Sequence, residues 1–116
     1  MSNHKNLVVW QKAHSLALSV YKLTDSFPQK ETFGIISQIR RAVLSVPTNI
    51  VEGYGRRTKN ELSRFVDIAR GSLAETEYLL DFSNEIGYIR ASDDLANIRS
   101  LITEVEKLLW SFQKKL

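Results

Sequence analysis

The chain has 116 residues, a formal net charge of +3 and no cysteine. Hydrophobic residues make up 43% of it and charged residues 25%, a globular mixture that excludes disorder as the main state. This length predicts one domain, and the lack of cysteine excludes a disulfide framework, a thiolate metal cluster and a thiol nucleophile. The start, Met1-Ser2-Asn3-His4-Lys5, is polar, and no apolar run approaches the roughly 20 residues of a membrane span. A soluble cytoplasmic protein is the expectation.

Hydrophobic periodicity predicts four helices and no strand. In the first segment, about Val8 to Ser26, the residues Val9, Ala13, Leu16, Val20, Leu23 and Phe27 alternate steps of three and four, and Pro28 breaks the pattern. The second segment, about Thr32 to Tyr54, repeats Ile36, Ile39, Val43, Val46 and Ile50. It ends in Gly53-Tyr54-Gly55, glycines suited to a left-handed helix stop.

Thr58-Lys59-Asn60-Glu61 reads as a capping box opening the third segment, which runs to about Ile86 and stops at Gly87. Leu62, Val66, Ala69, Leu73, Thr76 and Leu80 form its main seam; Phe65, Ile68, Leu79 and Ile86 form an offset one. The fourth segment opens at Ser92, with Asp93 and Asp94 favourable at a positive helix end and Lys114 and Lys115 at the negative one. Its seam is Leu95, Ile98, Ile102, Val105, Leu109, Phe112 and Leu116. Short linkers favour antiparallel neighbours, so the predicted fold is an all-α, up-down-up-down antiparallel four-helix bundle over residues 1–116.

The apolar surface exceeds one stripe per helix. Trp10, Ala17, Leu18 and Tyr21 lie off the first seam, and Leu101, Leu108 and Trp110 off the fourth. Monomers rarely expose large apolar patches, so the surplus predicts contacts between copies; the alternative is a thicker core. Two residues break local rules. Pro47 lies inside the second helix, where a proline costs about 3 kcal/mol. Gly71 lies inside the third, where with Ala69, Ser72 and Ala74 it is expected to admit a close backbone.

Gln38, Arg41, Ser45, Asn49 and Glu52 share one face of the second helix. This line either faces water or is partly buried. If buried, Arg41 needs a carboxylate, and Glu75 beside Ser72 is the candidate, in the same subunit or a neighbour.

The catalytic inventory is thin. The histidines are His4 and His14, with no Glu-x-x-His pair and no glycine-rich phosphate loop. Glu77, Asp81 and Glu85 share a helix face, which reads as a solvated acidic surface more readily than as a cation site. The expectation is a non-enzyme without cofactor or metal. Charge is uneven: residues 40–70 hold seven cations against three carboxylates, and residues 75–106 hold eight carboxylates against two cations. The turn after the second helix carries Arg56, Arg57 and Lys59 at a helix N-terminus, with Tyr54 as a stacking ring. With Arg40, these are the candidate nucleic-acid-binding residues; the alternative is that the arginines complement the second helix's C-terminus.

The run Gln38-Ile39-Arg40-Arg41-Ala42-Val43-Leu44-Ser45-Val46-Pro47-Thr48-Asn49-Ile50-Val51-Glu52-Gly53-Tyr54-Gly55-Arg56 closely resembles the signature of the small four-helix bundle proteins encoded in intervening sequences of bacterial 23S rRNA genes. Leu7-Val8-Val9-Trp10-Gln11-Lys12-Ala13, Phe27-Pro28, Ala69-Arg70-Gly71-Ser72-Leu73 with Glu75, and Gly87-Tyr88 are similar too. Phe33-Gly34-Ile35 and Val51 depart mildly from the pattern. The resemblance implies a homopentameric ring. It extends to the accessory proteins of diversity-generating retroelements, which implies RNA or DNA, or a protein such as a polymerase, as partner. It also implies structural or interface roles for Arg41, Asn49, Glu52 and Glu75, and the same role is read first for Arg56.

Overall fold

The computed structural model describes residues 3–90 and 92–116. The first two residues of the polar leader lie outside the described residues. Four helices follow one another: α1 (Val8–Thr24), α2 (Ile35–Tyr54), α3 (Lys59–Glu85) and α4 (Ser92–Lys114). Among the described residues there is no strand. Each helix packs on its sequence neighbour, and α1 also packs on α4, while among the described residues the diagonal helices bring no Cα atoms within 8 Å of each other. The fold is therefore an up-down-up-down bundle, 43 × 26 × 20 Å, its long axis matching α3 at about 1.5 Å per residue. No described helix is long and apolar enough to cross a membrane.

The four seams form the core. All of the α1 and α2 seam residues are buried, as are Val66, Ala69, Leu73, Thr76 and Leu80 of α3 and Leu95, Ile98, Ile102, Val105 and Leu109 of α4. Part of the surplus apolar surface also belongs to this core. Ala17 is buried, and Trp10, Leu101 and Leu108 pack partly buried against it. The thicker-core alternative therefore holds for those residues. Leu18, Tyr21 and Trp110 remain exposed, joined by Leu44, Ile68, Tyr78 and Phe82.

The helix ends differ from expectation where side chains intervene. The first helix stops at Thr24 instead of Ser26, because the Thr24 hydroxyl donates back to the Val20 and Tyr21 carbonyls while the chain tightens into a turn. A short 3-10 turn, Gln29–Glu31, delays α2 to Ile35, and the Glu31 carboxylate accepts the Ile35 N–H at 3.3 Å. Neither Gly53 nor Gly55 is left-handed; among the described residues Gly87 alone has a positive φ, +85°. Its turn is a Schellman stop, with Tyr88 N–H to the Ser83 carbonyl at 2.9 Å and Gly87 N–H to that of Asn84 at 3.1 Å.

Gly53 instead allows close approach: a Cβ there would lie 2.7 Å from Phe65 Cβ and 3.0 Å from Leu62 Cδ1. Gly71 does the opposite of what its neighbours suggest. It is exposed, and an added Cβ would meet nothing within 4 Å. Pro47 is buried while α2 continues through it, so apolar burial offsets part of its cost.

Candidate nucleic-acid interface

The turn between α2 and α3 is built by local bonds. Gly55 N–H and Arg56 N–H donate to the carbonyls of Glu52 and Gly53, ending α2. Thr58 then caps α3, its hydroxyl oxygen accepting the Glu61 N–H at 3.1 Å. The reciprocal arm of the capping box differs from expectation, because the Glu61 carboxylate accepts the Thr58 hydroxyl instead of the Thr58 amide. Arg56 lies with its guanidinium carbon 4.8 Å from the centre of the Phe65 ring. Arg57 and Lys59 are exposed, as is Tyr54 at 37%. Among the described residues none of the three basic side chains bonds a carbonyl or pairs with a carboxylate. The C-terminal complement reading thus has no hydrogen bond behind it.

Antiparallel topology adds cations that are far away in sequence. Gln113 near the end of α4 donates to the Ser63 carbonyl and to Asp67, fixing that end of α4 beside the start of α3. Lys115 borders a shallow cleft with Leu7 and Val8, so the chain's start and end meet at the same pole. Lys5, Arg56, Arg57, Lys59, Arg64, Lys114 and Lys115 therefore gather at one pole, against Glu52, Glu61 and Asp67. None of these seven cations takes part in an ion pair among the described residues. The signal for Arg64, Lys5, Lys114 and Lys115 was present in the sequence, but it emerges only when the charges are folded onto four alternating helices.

The opposite pole is different. Arg40 Nη2 pairs with Asp25 at 2.9 Å, and Arg99 Nη1 with Asp81 at 2.6 Å. Arg40 also donates to Thr24 Oγ1 and to the Tyr21 carbonyl, and its guanidinium carbon lies over the Tyr21 ring, 4.8 Å from its centre. It completes the C-terminus of α1. Arg40 is thus removed from the nucleic-acid set: it is 16 residues before Arg56, about 24 Å along α2, and its Nε and Nη2 donors are already engaged.

The polar line on α2 is half-buried only in its middle. Asn49 Nδ2 donates to the carbonyl and hydroxyl of Ser45, and Ser72 Oγ donates to Ser45 Oγ at 2.8 Å. Gln38, Arg41 and Glu52 are exposed. Arg41 and Glu75 border one open groove of about 590 Å³ between α2 and α3, but no ion pair joins them within the protomer. Solvent supplies what a buried Arg41 would have needed from the carboxylate. On the acidic face Glu77 and Glu85 are exposed and Asp81 is tied to Arg99. His14 is exposed and stacked on Trp10 at 4.9 Å.

One polar contact was invisible in the sequence. The Tyr88 hydroxyl donates to Glu31 Oε2 at 2.7 Å across 57 residues, while its ring packs on Phe27 at 5.6 Å. This hydrogen bond, with the Ile35 N–H second, holds the Glu31 carboxyl below its usual range. The same bond pushes the Tyr88 phenol above its usual range.

The structure resembles a crystal structure of a protein of unknown function from the S23 ribosomal protein family of Bacteroides thetaiotaomicron. The TM-score is 0.80 at 28% identity, covering 92% of this chain and 99% of the other. No curated protein matches the sequence. The sequence profile described as 23S rRNA-intervening sequence protein matches residues 5–111, nearly the whole bundle. The chain belongs to the 23S rRNA-intervening sequence protein family.

Proposed function

We propose that this protein is a non-enzymatic, self-assembling helical bundle that binds nucleic acid through the pole formed by the α2–α3 turn. One observation carries this reading: at that pole seven cations, none in an ion pair among the described residues, face three carboxylates, whereas at the other Lys22, Lys30, Arg40, Arg41, Arg90 and Arg99 are matched by Asp25, Glu31, Asp81, Glu85, Asp93 and Asp94. Unpaired guanidinium groups are free to take phosphate oxygens, two N–H donors at a time. Three arginines and four lysines in one protomer give a weak site. Copies arranged around an axis would multiply it, and five copies is the number the family resemblance implied.

Nucleic-acid binding of this kind displaces counterions, so log K should fall linearly with log salt. Arg56→Ala with Arg57→Ala should reduce the slope by about two, close to one per lost phosphate contact. Failure of the wild type to bind any RNA or DNA at low salt contradicts the reading. Mass in solution checks the assembly: a species several times the 13.3 kDa protomer is expected, and a monomer at micromolar concentration rejects self-assembly.

A second reading is an adaptor whose partner is a protein. It is favoured by the outer face of α3, where Ile68, Tyr78 and Phe82 are exposed at 47%, 64% and 43% along one helical line that passes Gly71 and Glu75. Under that reading, Tyr78→Glu abolishes partner capture and leaves nucleic-acid affinity unchanged.

A further inference from the structure

The basic pole carries more than charge. Tyr54 is an exposed ring, and two residues later the Arg56 guanidinium carbon lies over the Phe65 ring, 4.8 Å from its centre and within cation–π range. Between them is Gly55. Its φ is −88°, so the backbone does not require glycine. An added Cβ would meet nothing closer than 3.7 Å, and those atoms are the carbonyl oxygens of the preceding turn, so crowding does not require it either. Glycine's effect here is to leave bare backbone between an aromatic ring and a guanidinium plane. Flat groups of both kinds are platforms for bases.

Shape selects which nucleic acid. The cations sit on the convex end of a helical hairpin, where α2 turns into α3. A helix that reads a duplex from the major groove carries its cations along its length. Here the basic run along α3 ends at Arg64, and Asp67 follows within one turn. A duplex also keeps its base faces in its own stack, out of reach of Tyr54. A flexible strand has neither restriction: it can bend around a convex end and offer an unstacked base.

We infer that the α2–α3 pole takes unpaired nucleotides, with a base stacked on Tyr54 and the adjoining phosphates on Arg57 and Lys59. This inference rests on the nucleic-acid reading above and names its substrate class as single-stranded RNA or DNA.

Fluorescence anisotropy of the full chain tests it, with labelled single strands of about twelve nucleotides, one RNA and one DNA, and a duplex of the same length at low salt. Single strands should bind about tenfold or more tightly than the duplex. Tyr54→Ala should weaken single-strand binding about fivefold or more while leaving duplex binding unmoved, and Tyr54→Trp should restore it. Gly55→Leu, whose Cβ would make only ordinary van der Waals contacts, should also weaken single-strand binding and keep the native helical content. Equal affinity for duplex and single strand overturns the inference and leaves charge-driven binding standing. So does unchanged single-strand affinity in folded Tyr54→Ala or Gly55→Leu. No binding to any of the three probes overturns both. Binding by only one of the two single strands upholds the inference and assigns the sugar.

Discussion

Two glycines in neighbouring helices have opposite surroundings, and a single methyl group distinguishes them. At Gly53 a Cβ would press on Phe65 and Leu62 across the α2–α3 contact, so Gly53→Ala should destabilise the fold by about 1–3 kcal/mol. At Gly71 the Cβ would enter open space, so Gly71→Ala should stabilise the protomer by about 1 kcal/mol through helix propensity alone. Chemical denaturation of both variants checks the pair. A glycine kept in mid-helix with nothing against it is unexplained within one protomer. If copies associate through the α3 outer face, the Gly71→Ala protomer should be more stable but its assembly weaker by sedimentation. Equal destabilisation at the two sites contradicts the packing described here. Arg40 shows the limit of reading at this scale. Its sequence neighbour Arg41 is free, but Arg40 is engaged, because its partners Tyr21, Thr24 and Asp25 are set by how α1 meets α2.

The four helices themselves were legible because burial on one side forces a repeat close to 3.6 residues, and the main seams read from that repeat supply most of the observed core, whereas Ile68 and Ile86 of the offset α3 seam are exposed. Helix ends were less legible. Thr58 was identifiable as a cap because its acceptor and donor lie within four residues. The start of α2 was not, since its N-terminal N–H is satisfied by Glu31, whose orientation depends on Tyr88 from a distant loop. The basic pole was half legible for the same reason: Arg56, Arg57 and Lys59 are contiguous, whereas Lys5 and Lys115 join them only through the topology.

The Glu31–Tyr88 bond ties the α1–α2 loop to the α3–α4 loop, and it makes stability depend on pH. The Glu31 carboxyl is depressed in the fold, so its contribution is complete above its unfolded pKa and is lost as pH falls through the lower folded value. Tyr88→Phe should therefore be less stable than the wild type at neutral pH, with the gap narrowing in acid. Parallel urea titrations at several pH values check this. A gap that persists unchanged at low pH contradicts a role for the Glu31 charge.

Across the whole molecule, charge is sorted along the bundle axis. The pole with the α2–α3 turn has seven cations against three carboxylates, whereas at the other the six cations Lys22, Lys30, Arg40, Arg41, Arg90 and Arg99 meet the six carboxylates Asp25, Glu31, Asp81, Glu85, Asp93 and Asp94. Surface ion pairs contribute little to stability, so this sorting is better understood as shaping the field around the protein than as holding it together. A polyanion is drawn to the pole with the cation excess and finds no such excess at the other. Backbone amide shift mapping by NMR during titration with single-stranded oligonucleotide locates the contact directly. The account predicts changes confined to residues 54–64, the end of α4 and the chain start around Lys5. Changes centred on the Asp81–Asp94 pole, or on the groove beside Arg41 and Glu75, contradict it.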